Sequence, residues 1–379
     1  MNRLNFVVAD ADEEYVESLV EYLISDYSEF FQVSSFTRQD CLVEFMQVTD
    51  VKVDILLIDP RMYPDSLPTE KVNALVFLSP GNVSENFNRL DSINKYQHAD
   101  RLVSDIIRIF SEKYRESRCI KYGDRDTKVV AVYSPAGGTG KTCIAAASSI
   151  ICSQMGLAVF YLNLENVHAE GYFSGSERGQ NFSNIIYHLK EKDGNLALKI
   201  EGARCIHEQS NVHYFPPPDS IVEFDELFPG ELERLIRQFK AMGRYDIVFV
   251  DMSSSLDKRN LTLLEESDEI FLILTPDPVC EAKAKALFSE IDLLSQKNRL
   301  SFHSKLTVVL NKYRGGSASQ ADTMDVAGIK ASTVLPARAE PLRFDEPGRL
   351  VCIDDVFAAG IRRLVGKYFK KERMGLYAG

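Results

Sequence analysis

The sequence predicts an α/β protein with two successive domains, each built on a mostly parallel sheet. Short apolar runs alternate with helical patterns along most of the 379 residues, as they do in doubly wound sheets. A glycine-rich stretch that ends at Lys141-Thr142 separates one such run from a helical one. Domains usually contain about 100–200 residues, so the length allows two. We predict domains at residues 1–112 and 128–379, joined by a charge-dense linker at residues 113–127.

Charge and cysteine content narrow the functional classes. The formal net charge is −11, which disfavours general nucleic-acid binding, so we expect no DNA partner. The sequence has no apolar run of transmembrane length, roughly 18 residues, and its N-terminus turns acidic too soon for a signal peptide. Seven scattered cysteines without a C-x-x-C pair indicate a cytoplasmic protein with reduced thiols and no metal cluster.

Five strands with intervening helices are predicted in the first domain. Residues 53–58 and 72–78 are continuous apolar runs that stop at Asp59 and Ser79, as buried parallel strands do. Apolar residues spaced at i, i+3, i+4 and i+7 predict a helix around residues 16–23. The remaining predicted elements are strands at 5–8, 32–36 and 92–94 and helices at 41–46 and 102–110.

Polar side chains follow the ends of four of these strands, namely Asp10, Asp59, Ser79 and Lys95. This pattern resembles the receiver domain of two-component response regulators, a flavodoxin-like fold. The resemblance implies that Asp59 is the phospho-acceptor, with Asp10 as an acid, Ser79 as the hydroxyl and Lys95 as the lysine. Ala9 stands where a second acid is expected, which weakens the site for Mg²⁺. We therefore expect a degenerate docking domain, with a working phospho-switch as the alternative.

The glycine-rich stretch is the strongest functional signal in the chain. An apolar strand, a tight glycine turn and a helix start are what a phosphate-binding loop requires, because backbone N–H groups must approach the oxygens. Lys141 is placed to reach the outer phosphates and Thr142 to hold Mg²⁺. The expected ligands are ATP and Mg²⁺. The predicted nucleotide-binding residues of this stretch are Gly137, Gly138, Thr139, Gly140, Lys141, Thr142 and Cys143.

A strand that ends in a carboxylate follows about a hundred residues after the glycine-rich stretch. Residues 245–250 form an apolar run that ends at Asp251, and in phosphate-loop proteins such an Asp lies beside Mg²⁺. Other predicted elements are helices at 144–151 and 231–242 and strands at 157–162, 271–274, 307–310 and 333–335.

Four sequence motifs, taken together in chain order, resemble those of the MinD/ParA family of phosphate-loop ATPases over about residues 128–379. They are the glycine loop, Asn163-x-Glu165, the Asp251 strand, and Asn311 with Pro336. The resemblance implies that Glu165 orients the attacking water, so that Lys141, Glu165 and Asp251 form the catalytic set, with Thr142 and Asp251 at the metal. It also implies that Asn311 reads the adenine edge, that Pro336 flanks the ring, and that ATP holds two copies together as a homodimer.

Two residues before the glycines depart from the family pattern. Ala136 replaces the signature lysine that reaches the partner's phosphates, and Pro135 fixes φ in the entry turn. A cation supplied in trans is worth about 10³–10⁵ in rate in related systems. We therefore expect ATP binding with slow hydrolysis, a weak ATPase that acts as a switch. Candidate replacement cations are Arg178, Lys258 and Arg259.

The whole-chain order, receiver-like then MinD/ParA-like, is similar to the TadZ/CpaE proteins. That resemblance implies a cytoplasmic factor that places Flp (Tad) pilus secretion machinery at a cell pole. The alternatives are MinD-like septum positioning, ParA-like DNA partitioning and a metabolic ATP-dependent enzyme on the same fold.

The C-terminal segment, residues 353–371, has a basic amphipathic pattern. Such a helix can lie on an anionic membrane. We expect instead that its apolar stripe packs on the domain, with peripheral membrane contact as the alternative.

Overall fold

Parallel strands form the centre of both halves of the chain, as the apolar runs predict. The computed structural model describes residues 3–28, 30–48, 52–64, 67–79, 91–113, 123–167, 173, 181–191, 196–298, 302–315, 325–326, 329–337 and 355–369.

The first sheet contains five parallel strands in the order β2-β1-β3-β4-β5. This is a doubly wound order, and ligands of such sheets bind where the order reverses. The reversal lies between β1 and β3, whose last residues Ala9 and Ile58 are register partners. Asp10 and Asp59 therefore follow neighbouring strand ends. The elements are β1 (Leu4–Ala9), α1 (Glu13–Tyr27), β2 (Phe31–Phe36), α2 (Gln39–Val48), β3 (Val53–Ile58), β4 (Val72–Ser79), β5 (Ser92–Asn94) and α3 (Ala99–Lys113).

The second sheet contains eight strands in the order β15-β12-β11-β6-β10-β7-β9-β8. All neighbours are parallel except β8 and β9. Strands β13 and β14 form a separate antiparallel pair, with two residues in each strand. The strands are β6 (Lys128–Tyr133), β7 (Val159–Leu164), β8 (Cys205–His207), β9 (Val212–Tyr214), β10 (Ile247–Met252), β11 (Glu269–Leu274), β12 (Leu306–Tyr313), β13 (Asp325–Val326), β14 (Ile329–Lys330) and β15 (Thr333–Pro336).

Helices connect these strands and confirm the predicted α/β class. Around the first of them, α4, small side chains allow close approach to the sheet, and Ala145, Ala146 and Ala147 are fully buried. The helices are α4 (Lys141–Gln154), α5 (Phe182–Lys190), α6 (Leu196–Ala203), α7 (Val222–Asp225), α8 (Pro229–Met242), α9 (Lys258–Glu266), α10 (Pro278–Asn298) and α11 (Asp355–Val365).

The chain divides into two compact units whose boundaries differ from those predicted. One unit contains residues 1–124 and 178–204, and the other contains residues 125–177 and 205–379. Helices α5 and α6 thus belong with the first sheet, although they follow β7 in the chain. Helix α6 packs extensively on α3.

A buried ion pair at the end of α6 fixes this segment within the first unit. Nε of Arg204 lies 2.8 Å from Oε2 of Glu201, and Nη2 donates to Tyr27 Oη at 2.6 Å. Its Nη1 lies 3.6 Å from a carboxylate oxygen of Asp100. Since Tyr27 ends α1 and Asp100 lies in the first turn of α3, the guanidinium connects three helices.

The C-terminal helix α11 is part of the core of the second unit. Phe357, Ile361 and Leu364 are buried and pack in one cluster with residues of α4 and β12. Gly360 lies so close to Leu335 that a Cβ there would be 2.4 Å from a leucine methyl carbon. The apolar stripe is therefore occupied by its own domain, as we expect from the sequence, and Arg362 and Arg363 are exposed.

Replacing Arg204 by Ala should destabilise the first unit by about 3–5 kcal/mol, because a buried ion pair would lose its cation. The urea midpoint of the full chain, followed by circular dichroism, measures this effect. Arg38→Ala is the matched control, since it removes an exposed pair with Asp40 that is worth about 0–1 kcal/mol. Equal, small shifts for both variants would contradict the assigned role of Arg204.

Candidate functional site

The glycine-rich stretch forms the turn between β6 and α4. Gly138 and Gly140 adopt left-handed backbone angles, φ +72° and +94°, which glycine reaches without the steric penalty of a Cβ. Gly140 is also the N-cap of α4, so the helix begins at Lys141. The strand, turn and helix start lie where the sequence predicts them, and the N-terminal end of α4 points its partial positive charge at the loop.

Lys141 is buried and paired within this site. Its Nζ lies 2.9 Å from Oγ of Ser254 and 3.4 Å from Oε1 of Glu165. The Ser254 hydroxyl in turn donates to the carbonyl oxygen of Ala136 at 3.0 Å. A buried ammonium requires such partners, and here they come from the ends of β7 and β10.

Thr142 and Asp251 face the same carboxylate. The Thr142 hydroxyl donates to Oε2 of Glu165 at 3.1 Å. Asp251 lies on β10 between β6 and β7, in register with Val132 and Asn163. The predicted set Lys141, Thr142, Glu165 and Asp251 is therefore brought together at one edge of the sheet.

Asp251 is fully buried and only partly satisfied. Its Oδ2 accepts a hydrogen bond from the Tyr161 hydroxyl at 2.8 Å, whereas Oδ1 has no hydrogen-bond partner among the described residues. Burial, together with the charge of Glu165, raises the pKa of Asp251 well above its usual range. Burying an unpaired carboxylate oxygen is costly unless something else binds it.

These groups fit Mg²⁺ and a nucleotide phosphate. The cation takes oxygen ligands, and the free Oδ1 of Asp251 and the Thr142 hydroxyl supply them, while Lys141 and the loop amides suit phosphate oxygens. Bound Mg²⁺ would neutralise charge on the phosphates. Among the described residues no cluster of three or more His, Cys, Asp or Glu is arranged to hold a metal ion by itself.

Asn311 contacts the phosphate loop itself. Its Nδ2 donates to the carbonyl oxygen of Thr139 at 2.8 Å, and the side chain is buried. The strand β12 continues past Asn311 to Tyr313, whereas the sequence predicts that it ends at residue 310. Pro336 ends β15 in register with Tyr313. Contact of Asn311 or Pro336 with adenine stays a prediction.

The candidate replacement cations differ in their surroundings. Arg259 donates to Asp225, to Asp257 and to the carbonyl of Phe224, so its guanidinium is already engaged. Lys258 is the exposed first residue of α9. Arg178 lies outside the described residues.

Three contributors to the site escape sequence analysis, namely Ser254, Tyr161 and Lys312. Ser254 belongs to a serine run directly after Asp251, which could have marked it. Tyr161 lies in an apolar strand and looks like a core residue. The Lys312 ammonium donates to the carbonyl of Gly138 at 2.6 Å, and no pattern in the sequence indicates it.

The strand ends of the first unit carry a second polar cluster. Lys95 lies 2.8 Å from Oδ2 of Asp10 and 3.1 Å from Oδ2 of Asp12, and its backbone N–H donates to the carbonyl of Ser79. Asp12, which also caps α1, supplies a second acid that the sequence analysis did not assign.

Asp59 is paired with the arginine two residues later. Arg61 donates from Nε and Nη2 to the two carboxylate oxygens of Asp59 at 3.0 and 2.8 Å. Burial acts to raise the pKa of Asp59, but the hydrogen bonds and charge of Arg61 outweigh it and hold that pKa below its usual range. Protein cations thus already neutralise Asp10 and Asp59.

The chain is similar to several solved nucleotide-binding proteins. A ParA family ATPase from Chlorobium tepidum TLS shares 23% identity over 56% of this chain and 85% of that chain, with a TM-score of 0.46. The septum site-determining protein MinD complexed with Mg-ADP from Pyrococcus horikoshii OT3 shares 20% identity over 64% of this chain and 96% of that chain, with a TM-score of 0.46. Cobyrinic acid a,c-diamide synthase from Mycobacterium smegmatis, with bound ATP analog and magnesium, shares 16% identity over 63% of this chain and 93% of that chain. Its TM-score is 0.44.

No protein-family model matches the sequence, and no curated protein matches it.

Replacing Gly140 by Ala should weaken triphosphate binding at least about tenfold, because a strained left-handed residue costs on the order of 1–3 kcal/mol. The added Cβ would also lie 2.5 Å from Nδ2 of Asn311. Fluorescence titration with a labelled nucleotide measures the affinity. Gly230→Ala in α8 is the matched control, since it lies outside the loop and no heavy atom lies within 4 Å of its Cβ. Unchanged affinity in Gly140→Ala would refute the proposed loop geometry.

Proposed function

We propose that this protein binds ATP with Mg²⁺ and acts as an ATP-dependent dimeric switch of the MinD/ParA type. One observation carries the proposal: Lys141, Thr142 and Glu165 converge with the unpartnered Oδ1 of the buried Asp251 at the carboxyl edge of β6, β7 and β10. A phosphate-binding loop beside a free, buried carboxylate oxygen is suited to a magnesium nucleotide.

Each of these residues has a distinct task in the proposed site. The Lys141 ammonium, already held at the loop by Ser254, binds phosphate oxygens, and Thr142 with Asp251 holds the metal. Glu165 forms an ion pair with Lys141 and accepts a hydrogen bond from Thr142. Once those donors turn to phosphate oxygens, the carboxylate is free to orient a water molecule as general base.

We further propose that hydrolysis is slow. Ala136 has no charged group to offer a partner's phosphates, and Arg259 is committed to Asp225, Asp257 and a backbone carbonyl. Charge that develops on the transferred phosphoryl group is then stabilised mainly by Lys141, and the contribution in trans, about 10³–10⁵ in rate, is missing.

The first unit serves, in this proposal, as a docking module. Lys95 already neutralises Asp10, and Arg61 neutralises Asp59. Two ion pairs made by the protein's own cations compete with Mg²⁺ and phosphate for the same carboxylates. We therefore favour docking over phosphorylation of Asp59.

The cellular role that agrees with this domain order is localisation of Flp (Tad) pilus machinery at a cell pole, on the cytoplasmic side. Partners would be the machinery proteins and a second copy of this chain. None of the described helices has the length and apolarity to span a membrane. Because the apolar face of α11 is buried in its own domain, we do not propose membrane contact through that helix.

Light scattering after size exclusion tests the switch. We expect the mass to double with Mg²⁺ and ATP relative to Mg²⁺ and ADP, because the third phosphate would complete contacts between two copies. Lys141→Ala should remain a monomer under both conditions. The same samples should release phosphate at a rate well below about 1 s⁻¹, the low end of ordinary turnover.

One mass in both nucleotides, despite saturable ATP binding, would overturn the dimeric switch while leaving the nucleotide site intact. A turnover above that limit would overturn slow hydrolysis.

A further inference from the structure

The end of strand β12 sends two consecutive side chains to the same loop. Successive side chains of a strand normally point to opposite faces of a sheet. Here the pairing of β12 with β15 shifts register between Leu310 and Tyr313, and Lys312 has φ +61°. Such irregularities re-aim side chains next to functional sites. As a result, both Asn311 and Lys312 reach the phosphate loop.

The backbone of Lys312 is costly for a residue with a side chain. Among the described residues only Lys312 and Asn211 are non-glycine residues with positive φ, and asparagine tolerates that region better than lysine does. Strain of this kind persists where the surroundings enforce it and is common at functional sites. The strain therefore needs a local reason, and the loop contact is the one that the structure offers.

The two side chains bind successive carbonyl groups of the loop. Lys312 Nζ donates to the Gly138 carbonyl at 2.6 Å, and Asn311 Nδ2 donates to the Thr139 carbonyl at 2.8 Å. In a planar trans peptide the C=O of one residue and the N–H of the next point in opposite directions. The N–H groups of Thr139 and Gly140 are consequently directed away from Asn311 and Lys312.

We propose that Asn311 and Lys312 are positioning residues that hold two peptide groups of the loop with their N–H groups toward the phosphates of a bound nucleotide. This inference rests on the proposed nucleotide-binding function and adds Lys312 to it. The hydrogen bond from a charged ammonium also polarises its peptide, so the N–H of Thr139 becomes a better donor. The ligand class is a nucleoside di- or triphosphate, recognised here through its phosphates and not its base.

Phosphate recognition and base recognition make different predictions for these residues. If Asn311 and Lys312 orient loop amides, their loss weakens ATP, ADP and GTP binding by the same factor. If they read the base, their loss changes the ratio of ATP to GTP affinity, because only one base loses its partner. The ratio therefore separates the two roles.

The test compares Lys312→Arg with Lys312→Met in the full chain, using titration with fluorescent ATP, ADP and GTP. Both variants keep a long side chain at the strained backbone position, and only arginine keeps a donor. We expect Lys312→Met to bind each nucleotide about tenfold more weakly, as the loss of one charged hydrogen bond predicts. Lys312→Arg should stay within about threefold of the natural protein.

Lys312→Gly separates binding from folding. Glycine adopts positive φ without strain, so the melting temperature should be equal or higher while nucleotide affinity falls as in Lys312→Met. Asn211→Gly is the matched control, because it relieves the other positive-φ position in a turn remote in sequence from the loop. That control should leave nucleotide affinity unchanged.

The outcomes distinguish this inference from the function on which it rests. If the natural protein binds none of the three nucleotides, the proposed function fails. If it binds them and Lys312→Met binds equally well, the positioning role is overturned. A changed ratio of ATP to GTP affinity in Lys312→Met would also overturn it, in favour of base recognition.

Discussion

The buried ammonium of Lys141 is the constraint on which the rest of the proposed nucleotide site depends. A charge with so little exposure to water must be paired, and Glu165 and Ser254 pair it from two different strands. That requirement fixes the ends of β7 and β10 against the glycine turn. Glu165 also accepts from Thr142, so one carboxylate satisfies both side chains that would otherwise hold a phosphate and its metal. Glu165 therefore supplies negative charge to the two side chains that we propose bind phosphate and Mg²⁺.

Electrostatics and backbone geometry cooperate at this edge of the sheet. Asp251 keeps one oxygen unpaired in a fully buried position, and its raised pKa reflects both that burial and the nearby charge of Glu165. Asn311 and Lys312 hold the loop from the side of its carbonyl groups. The first unit differs in this respect, because Lys95 and Arg61 form ion pairs with its carboxylates Asp10 and Asp59. Asp251 thus has no ion-pair partner among the described residues, whereas Asp10 and Asp59 are each paired with a cation of the first unit.

The sequence predicts elements well wherever a local pattern determines them. Apolar runs predicted most of the long parallel strands, and the glycine loop with Lys141-Thr142 predicted the centre of the candidate site. The short strands β8 and β9 and the helices α5, α6, α9 and α10 were not predicted. Contacts between distant segments were not predictable. The spacing of apolar residues predicts that a helix has a buried face, but it does not predict which sheet that face packs against. Helices α5 and α6 follow β7 in the chain yet belong with the first sheet. Lys312 was not predicted either, because its contact with the loop depends on a register shift that residue types do not indicate.

Hydrogen exchange of the full chain, with and without Mg²⁺ and ATP, measures whether the loop amides bind phosphate. If the loop amides bind phosphate and Asp251 helps to hold the metal, exchange should slow in peptides that cover residues 134–145 and 250–256. Peptides around Asp10 and Asp59 should exchange at the same rate in both conditions, because their carboxylates are paired within the protein. Unchanged exchange across residues 134–145 at saturating nucleotide would show that the loop does not bind phosphate.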